Sequence, residues 1–374
     1  MGVLKLAAAV MVVAAPLIPG LPDLDPGQGG SPSGGAPSES APPQQSQPPP
    51  PATEQPKPSQ PPAEAERVCD RMAAPWGSDR ASGRPREPFR TPGRLAASLR
   101  PGWTGCLRAG TYTQREVEVT RRKVTIRSAP GERATWRGRI VLEGRRQKLV
   151  DLALDGSYGP NGVPSPTINA PGVVVSDSDV TNRQNICIAV RRWRGGGRPD
   201  GFVIQRNRIH DCGRRPPTNH DHGIYVVDAV GGLIRDNVIF RNADRGVQLF
   251  PSAHRVTVVR NTIDGNGSGV ILSNDSSRNL VRANLISNSV VRWNAESHNL
   301  RGRGNRFESN CVKPGHPDPA YHENGGVKLP PLVAQSGTVV VAGDPYRARA
   351  DGDYTPAGGA CGKRGARGPA RKPR

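Results

Sequence analysis

The chain has 374 residues, a formal charge of +20 at pH 7, 39 prolines, 45 glycines and only 4% aromatic residues. So few aromatic rings leave little to stack bases on, and no nucleic-acid-binding motif accompanies the charge, so a nucleic-acid partner is set aside. The basic excess is nearly all arginine and is spread along the chain. In an exported protein it suits an acidic polysaccharide or cell-wall polymer.

In chain order, MGVLKLAAAVMVVAAPLIPG opens with Lys5 as its only charge and an apolar run from Leu6 to Ile18. That run has the length of a secretory core and is short for a membrane span. Residues 1–19 are therefore read as a signal peptide or, uncleaved, a signal anchor, the only expected membrane attachment, and the protein as secreted or cell-surface and monomeric. Residues 20–66, rich in Pro, Ser and Gln, form an extended disordered linker. The folded domain is placed at 67–362, with one amphipathic helix from about Thr91 to Leu99, and 363–374 is a basic disordered tail. Six cysteines with no C-x-x-C pair read as disulfides in an exported protein. Chain order pairs Cys69 with Cys106, Cys187 with Cys212, and Cys311 with Cys361, one of many connectivities open to six cysteines.

From about Lys123 the chain is a series of short β-branched runs punctuated by Gly, Asn and Asp. Aligning GFVIQRNRIHDCG, GLIRDNVIFRNA, VTVVRNTIDGNG, LVRANLISNSV and GRGNRFESN brings Asn207, Asn237, Asn261, Asn284 and Asn305 into one column. Two residues after each stands Ile209, Ile239, Ile263, Ile286 or Phe307, and three before the first four stand Ile204, Ile234, Val258 and Val281. HGIYV, RGVQL and SGVIL repeat at the same period, with His222, Arg245 and Ser268 equivalent. A unit this short cannot bury its apolar side alone, but copies stacked on each other form a continuous core. The fold class is all-β, a right-handed parallel β-helix with a short N-terminal capping helix. The asparagines are expected to form a ladder that satisfies buried turn backbone, and not to be catalytic.

These coils, with the opening EPFRT…SLRPGWTGCLRAGTY and the closing DPYRARADGDYTPAGGACG at 344–362, resemble the right-handed parallel β-helix proteins of the pectate-lyase-like superfamily. The resemblance covers most of 69–362 and implies polysaccharide chemistry. The fold by itself hosts lyases, hydrolases, epimerases and non-catalytic adhesins.

Against the repeat, the interval from Asn207 to Asn237 is about seven residues too long, and the surplus RRPPTNH at 214–220 falls just before HGIYV. Ile224 and Val226 match inward positions, so Tyr225 should point outward above Gln248 and Ile271. His222, stacked with Arg245 and Ser268, is expected in a solvent-facing column. The candidate patch is His220, Asp221, His222, Tyr225, Asp228, Asp244, Arg245 and Gln248, bordered by His254, Asn294, Glu296 and His298. For β-elimination or C5 epimerisation of a uronate, Arg245 would neutralise the carboxylate, His222 or His220 would take the C5 proton, and Tyr225 would return or donate one. This set is similar to that of mannuronan epimerases and some alginate lyases, although NHDH stands where those epimerases carry D-P-H-D or D-P-H-E.

Four alternatives stay open. No cofactor is assigned, and calcium stays open as one; the calcium-dependent pectate-lyase pattern fits less well, with only Asp221, Asp228 and Asp244 near. Those aspartates would also serve a polygalacturonase-like hydrolase. The spacing His220-x-His222 matches a metal pair completed by His210 or His254, but no metal site is assigned. Finally, TNHDHGIYV has the composition of a polar turn, as a non-catalytic carbohydrate-binding or wall-associated protein would need.

Overall fold

The structure, a computed structural model, describes residues 63–192, 197–315 and 326–367. The expected signal segment, the linker as far as residue 62 and the tail beyond 367 lie outside the described residues. The boundary drawn after residue 66 falls inside a helix, Ala63–Val68.

Strands, most of two to six residues, follow one another around a solenoid, those of the coils pairing in parallel with their equivalents one coil on. An 11-stranded ladder from Arg71–Ala73 to Ala334–Ser336 makes the rear face. A 17-stranded ladder makes the other two, because the long strands Gly110–Val119 and Ala134–Leu142 run through both before later coils divide them. The side face holds Arg208–His210, Val238–Phe240, Thr262–Asp264 and Leu285–Ser287; the front face holds Ile188–Val190, Ile224–Val226, Arg245–Leu249, Ser268–Ser273 and Ala295–His298. This is the right-handed parallel β-helix expected from the repeats.

The columns explain why these residues form it. Ile204, Ile234, Val258 and Val281 stack in register on the rear face, and Ile209, Ile239, Ile263 and Ile286 on the side face. All eight are fully buried. Each such side chain contributes about 1.5–3 kcal/mol relative to exposure, and none finds that environment within its own coil.

The asparagine ladder is present with one correction. Asn207 N–H donates to Asn237 Oδ1 at 3.0 Å, Asn237 to Asn261 at 3.0 Å, Asn261 to Asn284 at 2.9 Å, and Asn284 to Asn310, not Asn305, at 3.0 Å. Asn305 belongs to a second ladder, accepting from Asn279 at 3.0 Å at the corner between front and rear. Phe307 accordingly stacks on Val281 in the rear face, and Val312 stacks on Ile286. The interval from Asn284 to Asn310 is 26 residues, against 24 and 23 for the two before it, so matching by local pattern caught the wrong asparagine.

The expected helix is Pro92–Ser98, with Thr91 Oγ1 accepting from Arg94 N–H at 3.2 Å and Leu95 and Ala96 buried over the first coil. All three disulfides have the expected partners. The closing segment does not cover the solenoid's end. Its hairpin, Tyr346–Ala348 and Asp353–Pro356, folds back on the side face, where Tyr346 and Tyr354 pack against Phe240 and Leu285 and the Cys311–Cys361 bond holds it.

Candidate functional site

On the front face the register is Ala189, Tyr225, Gln248, Ile271 and Glu296, one residue per coil and all of outward parity. At the upstream edge of that column, where the side face turns into the front, the inserted segment 214–220 lies beside His222 and Arg245. Arg245 Nη1 donates to the Asn219 carbonyl at 3.3 Å and to its side-chain oxygen. Both His222, 3% exposed, and Arg245, 5% exposed, are buried. The expected solvent-facing column is corrected here: the loop covers Arg245 from one side, and Glu296, two coils on, approaches its Nε to 3.8 Å from the other.

Two expected acids serve the loop instead of the face. Asp221 is fully buried; its carboxylate accepts from Arg214 N–H at 3.0 Å, Arg214 Nε at 2.9 Å, Asn185 Nδ2 at 3.3 Å and Thr218 Oγ1 at 3.3 Å. Asp244 accepts from the backbone N–H of Asn219 at 3.0 Å and of Asp221 at 2.8 Å. Asp221 accepts from Arg214, Asn185 and Thr218, and Asp244 accepts one N–H on each oxygen, so both carboxylates are engaged in holding the loop, which counts against their use as calcium ligands or as the acid and base of a hydrolase.

The His222 imidazole is neutral at pH 7. Burial first, then the charges of Arg245 and His220, push its pKa well below the ordinary 6.5, with the Gln248 side chain opposing only in part. Arg245 N–H donates to its Nδ1 at 3.4 Å. Tyr225 stands edge-on to the imidazole, ring centres 5.4 Å apart. Burial raises its pKa, against the charges of Arg191 and Arg245, so the phenol stays protonated at neutral pH. Arg191 is a residue the sequence reading passed over. It lies two positions after Ala189, the residue stacked on Tyr225, and that count would have found it.

Two buried polar atoms here make no hydrogen bond: Arg245 Nε, a donor that faces Glu296 only at 3.8 Å, and Gln248 Oε1, an acceptor on the side chain beside His222. Buried polar groups are almost always hydrogen-bonded, so this donor and acceptor are available to a bound ligand.

The other expected residues do not converge on this point. His220 is exposed on the loop. Asn294 is fully buried and supports a turn, donating to the Lys313 carbonyl at 2.9 Å and accepting from Ser289 Oγ at 2.7 Å. Glu296 joins the site through Arg245 and through Ser268 Oγ at 2.8 Å. Asp228 and His254 lie past the downstream ends of the front strands, at the corner leading to the rear face, and His298 ends its own strand exposed. His210 is on the side face, held by Asp211 at 2.6 Å and Asp179 at 3.0 Å, so neither it nor His254 completes a metal pair with His220 and His222. Among the described residues no group of three or more His, Cys, Asp or Glu is placed to hold a metal ion.

Comparison with known proteins agrees with this architecture. The family described as right handed beta helix region matches residues 167–329, which includes the loop and His222. A pectate lyase, Pel9A, has a similar structure at 14% identity, over 81% of this chain and 89% of its own, with a TM-score of 0.51. The A-module of mannuronan C-5 epimerase AlgE6 from Azotobacter vinelandii matches at 14% identity over 67% of this chain and 93% of its own, TM-score 0.35. XylC, in complex with xylose, matches at 11% identity over 74% and 86%, TM-score 0.44. No curated protein sequence matches the chain. The protein is a right-handed parallel β-helix protein with the pectate-lyase-like fold.

Proposed function

We propose that the protein is exported and acts on an acidic, uronate-containing polysaccharide by removing the C5 proton, with β-elimination or epimerisation as the outcome. The observation that carries this is the buried Nε–H of Arg245, which makes no hydrogen bond and faces Glu296 only at 3.8 Å, next to His222 with Tyr225 edge-on to that imidazole. A substrate carboxylate docked on Arg245 would satisfy that donor and stabilise the charge that develops when the adjacent carbon loses its proton. His222 takes the proton, and the carboxylate's own charge would raise the basicity that burial depresses. Tyr225 delivers a proton to the leaving oxygen or back to C5. Gln248 Oε1 is left to accept from a sugar hydroxyl. The three disulfides suit an oxidising compartment outside the cytosol.

The test is a panel of uronate polymers, with and without calcium, followed by ultraviolet absorbance of unsaturated ends and by NMR of the product. Activity on one polymer should vanish in His222→Ala and Arg245→Ala at unchanged circular dichroism; activity that survives both removes these residues from the chemistry. A non-catalytic, wall-binding protein is the second reading, favoured by one observation: Asn219 and Glu296 already cover and partly neutralise Arg245. Binding of wall material with no turnover on any polymer would select it.

A further inference from the structure

The corners of the solenoid follow a rule with one exception. At each corner a residue takes the left-handed conformation, which L side chains adopt reluctantly, and these residues stack from coil to coil. Where arginine holds such a position at the rear-to-side corner, an aspartate of the adjacent coil neutralises it. Arg206 (φ 53°) binds Asp177 (φ 56°) through Nε at 2.7 Å and Nη2 at 2.8 Å, and Arg260 binds Asp236 at 2.9 and 3.0 Å. The side-to-front corner does the same, Arg241 binding Asp211 at 3.0 and 2.7 Å.

The front-to-rear corner breaks the rule. Its left-handed column runs Lys123, Arg146, Gly172, Gly201, Gly231, Arg255, Arg278, Gly304, with φ of 55°, 57°, 70°, 63°, 72°, 54°, 57° and 71°, and contains no acid; Arg255 and Arg278 are the adjacent pair that lines a cleft. Both arginines are exposed, and among the described residues neither side chain makes a hydrogen bond or ion pair. The nearby carboxylate, Asp275, is committed to Ser252, accepting from its N–H at 2.8 Å and its hydroxyl at 2.7 Å. Arg301 and Arg303, from the next turn, complete a cleft of about 630 Å³ that His254 and Asp275 also line. The positions flanking the arginine pair are glycines, which meet the left-handed requirement without strain. Arginine there costs conformational energy and adds like-charge repulsion between coils about 4.8 Å apart, with no internal partner to offset either.

We propose that this cleft is a second binding site, separate from His222, for a linear carboxylated polysaccharide lying along the solenoid axis. One guanidinium per coil offers a bidentate partner at a repeat comparable to one sugar ring of an extended chain. The lining carries no Phe, Tyr or Trp for bases to stack on, and Val230 is its one aliphatic residue, so neither a nucleic acid nor an apolar protein surface is well matched. His222 stands before the first residue of its front strand, and the arginine pair follows the downstream end of the same face. One polymer strand gripped at this corner would be retained while a neighbouring stretch is processed. The ligand class rests on the acidic-polysaccharide reading above, whereas binding here does not depend on turnover.

The test uses the full-length chain and polygalacturonate, with affinity measured by titration calorimetry at low and moderate salt. Arg255→Gly with Arg278→Gly keeps a backbone suited to φ near 55° and should weaken binding at least about tenfold, the effect of losing two charge-assisted contacts. Lysine at both positions should restore part of the affinity. The control, Arg206→Gly with Arg241→Gly, removes the same charge from paired positions and should leave affinity within about twofold. Three results overturn the proposal: wild-type protein that does not bind the polymer, equal losses in the test and control pairs, and duplex DNA of matched charge bound as tightly through the same two arginines. His222→Ala separates this proposal from the catalytic one, since it should abolish turnover and leave this affinity intact. Turnover with an unaffected arginine-pair variant sinks only the second site.

Discussion

Replacing Asp221 by alanine tests whether this residue is a loop anchor or a catalytic acid. The change strands two part-buried donors, Arg214 N–H and Asn185 Nδ2, each of which loses a charged acceptor. Taken at the low end for charged hydrogen bonds, because both donors lie near solvent, the loss is about 2–4 kcal/mol. The Arg214 guanidinium is solvated and adds nothing to that figure. Asp244 still holds Asn219, so the loop should loosen and not detach. Asp221→Asn keeps an oxygen in place and should cost about half as much. Urea unfolding gives the stability change, and limited proteolysis within 213–221 reports the loop directly. Catalysis should fall in proportion to loop disorder, with Asp221→Asn retaining most of it. A stability change below about 0.5 kcal/mol with unaltered proteolysis would refute the anchor role, and complete inactivity of Asp221→Asn with an intact loop would return it to the chemistry.

Three further outcomes are expected. Asn261→Ala removes an acceptor for Asn237 N–H and Nδ2 and donors to the Ile234 carbonyl and Asn284, all at fully buried positions, and should cost about 3–5 kcal/mol by denaturant unfolding, against near zero for the exposed Asn161→Ala. Half-buried His210 and buried His222 should give stability opposite pH dependences. Although burial opposes it, hydrogen bonds to Asp179 and Asp211 raise the pKa of His210, so its contribution is complete below pH 6.5 and is lost as pH rises through the raised value. His222, depressed by burial, contributes fully above pH 6.5 and loses that contribution as pH falls toward its lowered value. Unfolding free energies of His210→Phe and His222→Phe against pH should each lose one limb of the wild-type profile. Tyr225→Phe keeps the ring contact and removes the proton donor, so kcat should fall by about 10²–10⁴ with KM little changed; a change confined to KM would make Tyr225 a binding residue.

The fold was legible because coil stacking forces equivalent inward positions to match, so the spacing of Ile204, Ile234 and Val258, or of Val247 and Val270, already states which residues touch. It failed at Asn305, where a longer coil offers two asparagines and both form ladders. The site was legible as far as parity reached: Tyr225, Gln248 and Glu296 share one outward column as alternation requires. The burial of His222 and Arg245 was not, because it depends on how an inserted loop folds and on a carboxylate two coils away. Nor could composition show that Asp221 and Asp244 spend their oxygens on the loop's own N–H groups. Counting side chains as available chemistry treats them as unpaired, and here the pairing decides their role.

Elimination and epimerisation share one event, loss of the proton at C5, so exchange at that carbon tests the central claim most directly. Wild-type protein incubated with each uronate polymer in deuterated buffer should give deuterium at C5, or an unsaturated end, on one of them by NMR. His222→Ala, folded to the same circular dichroism spectrum, should give neither. C5 left fully protonated across the panel by wild-type protein that still binds the polymer would contradict a catalytic role for His222, Tyr225 and Arg245.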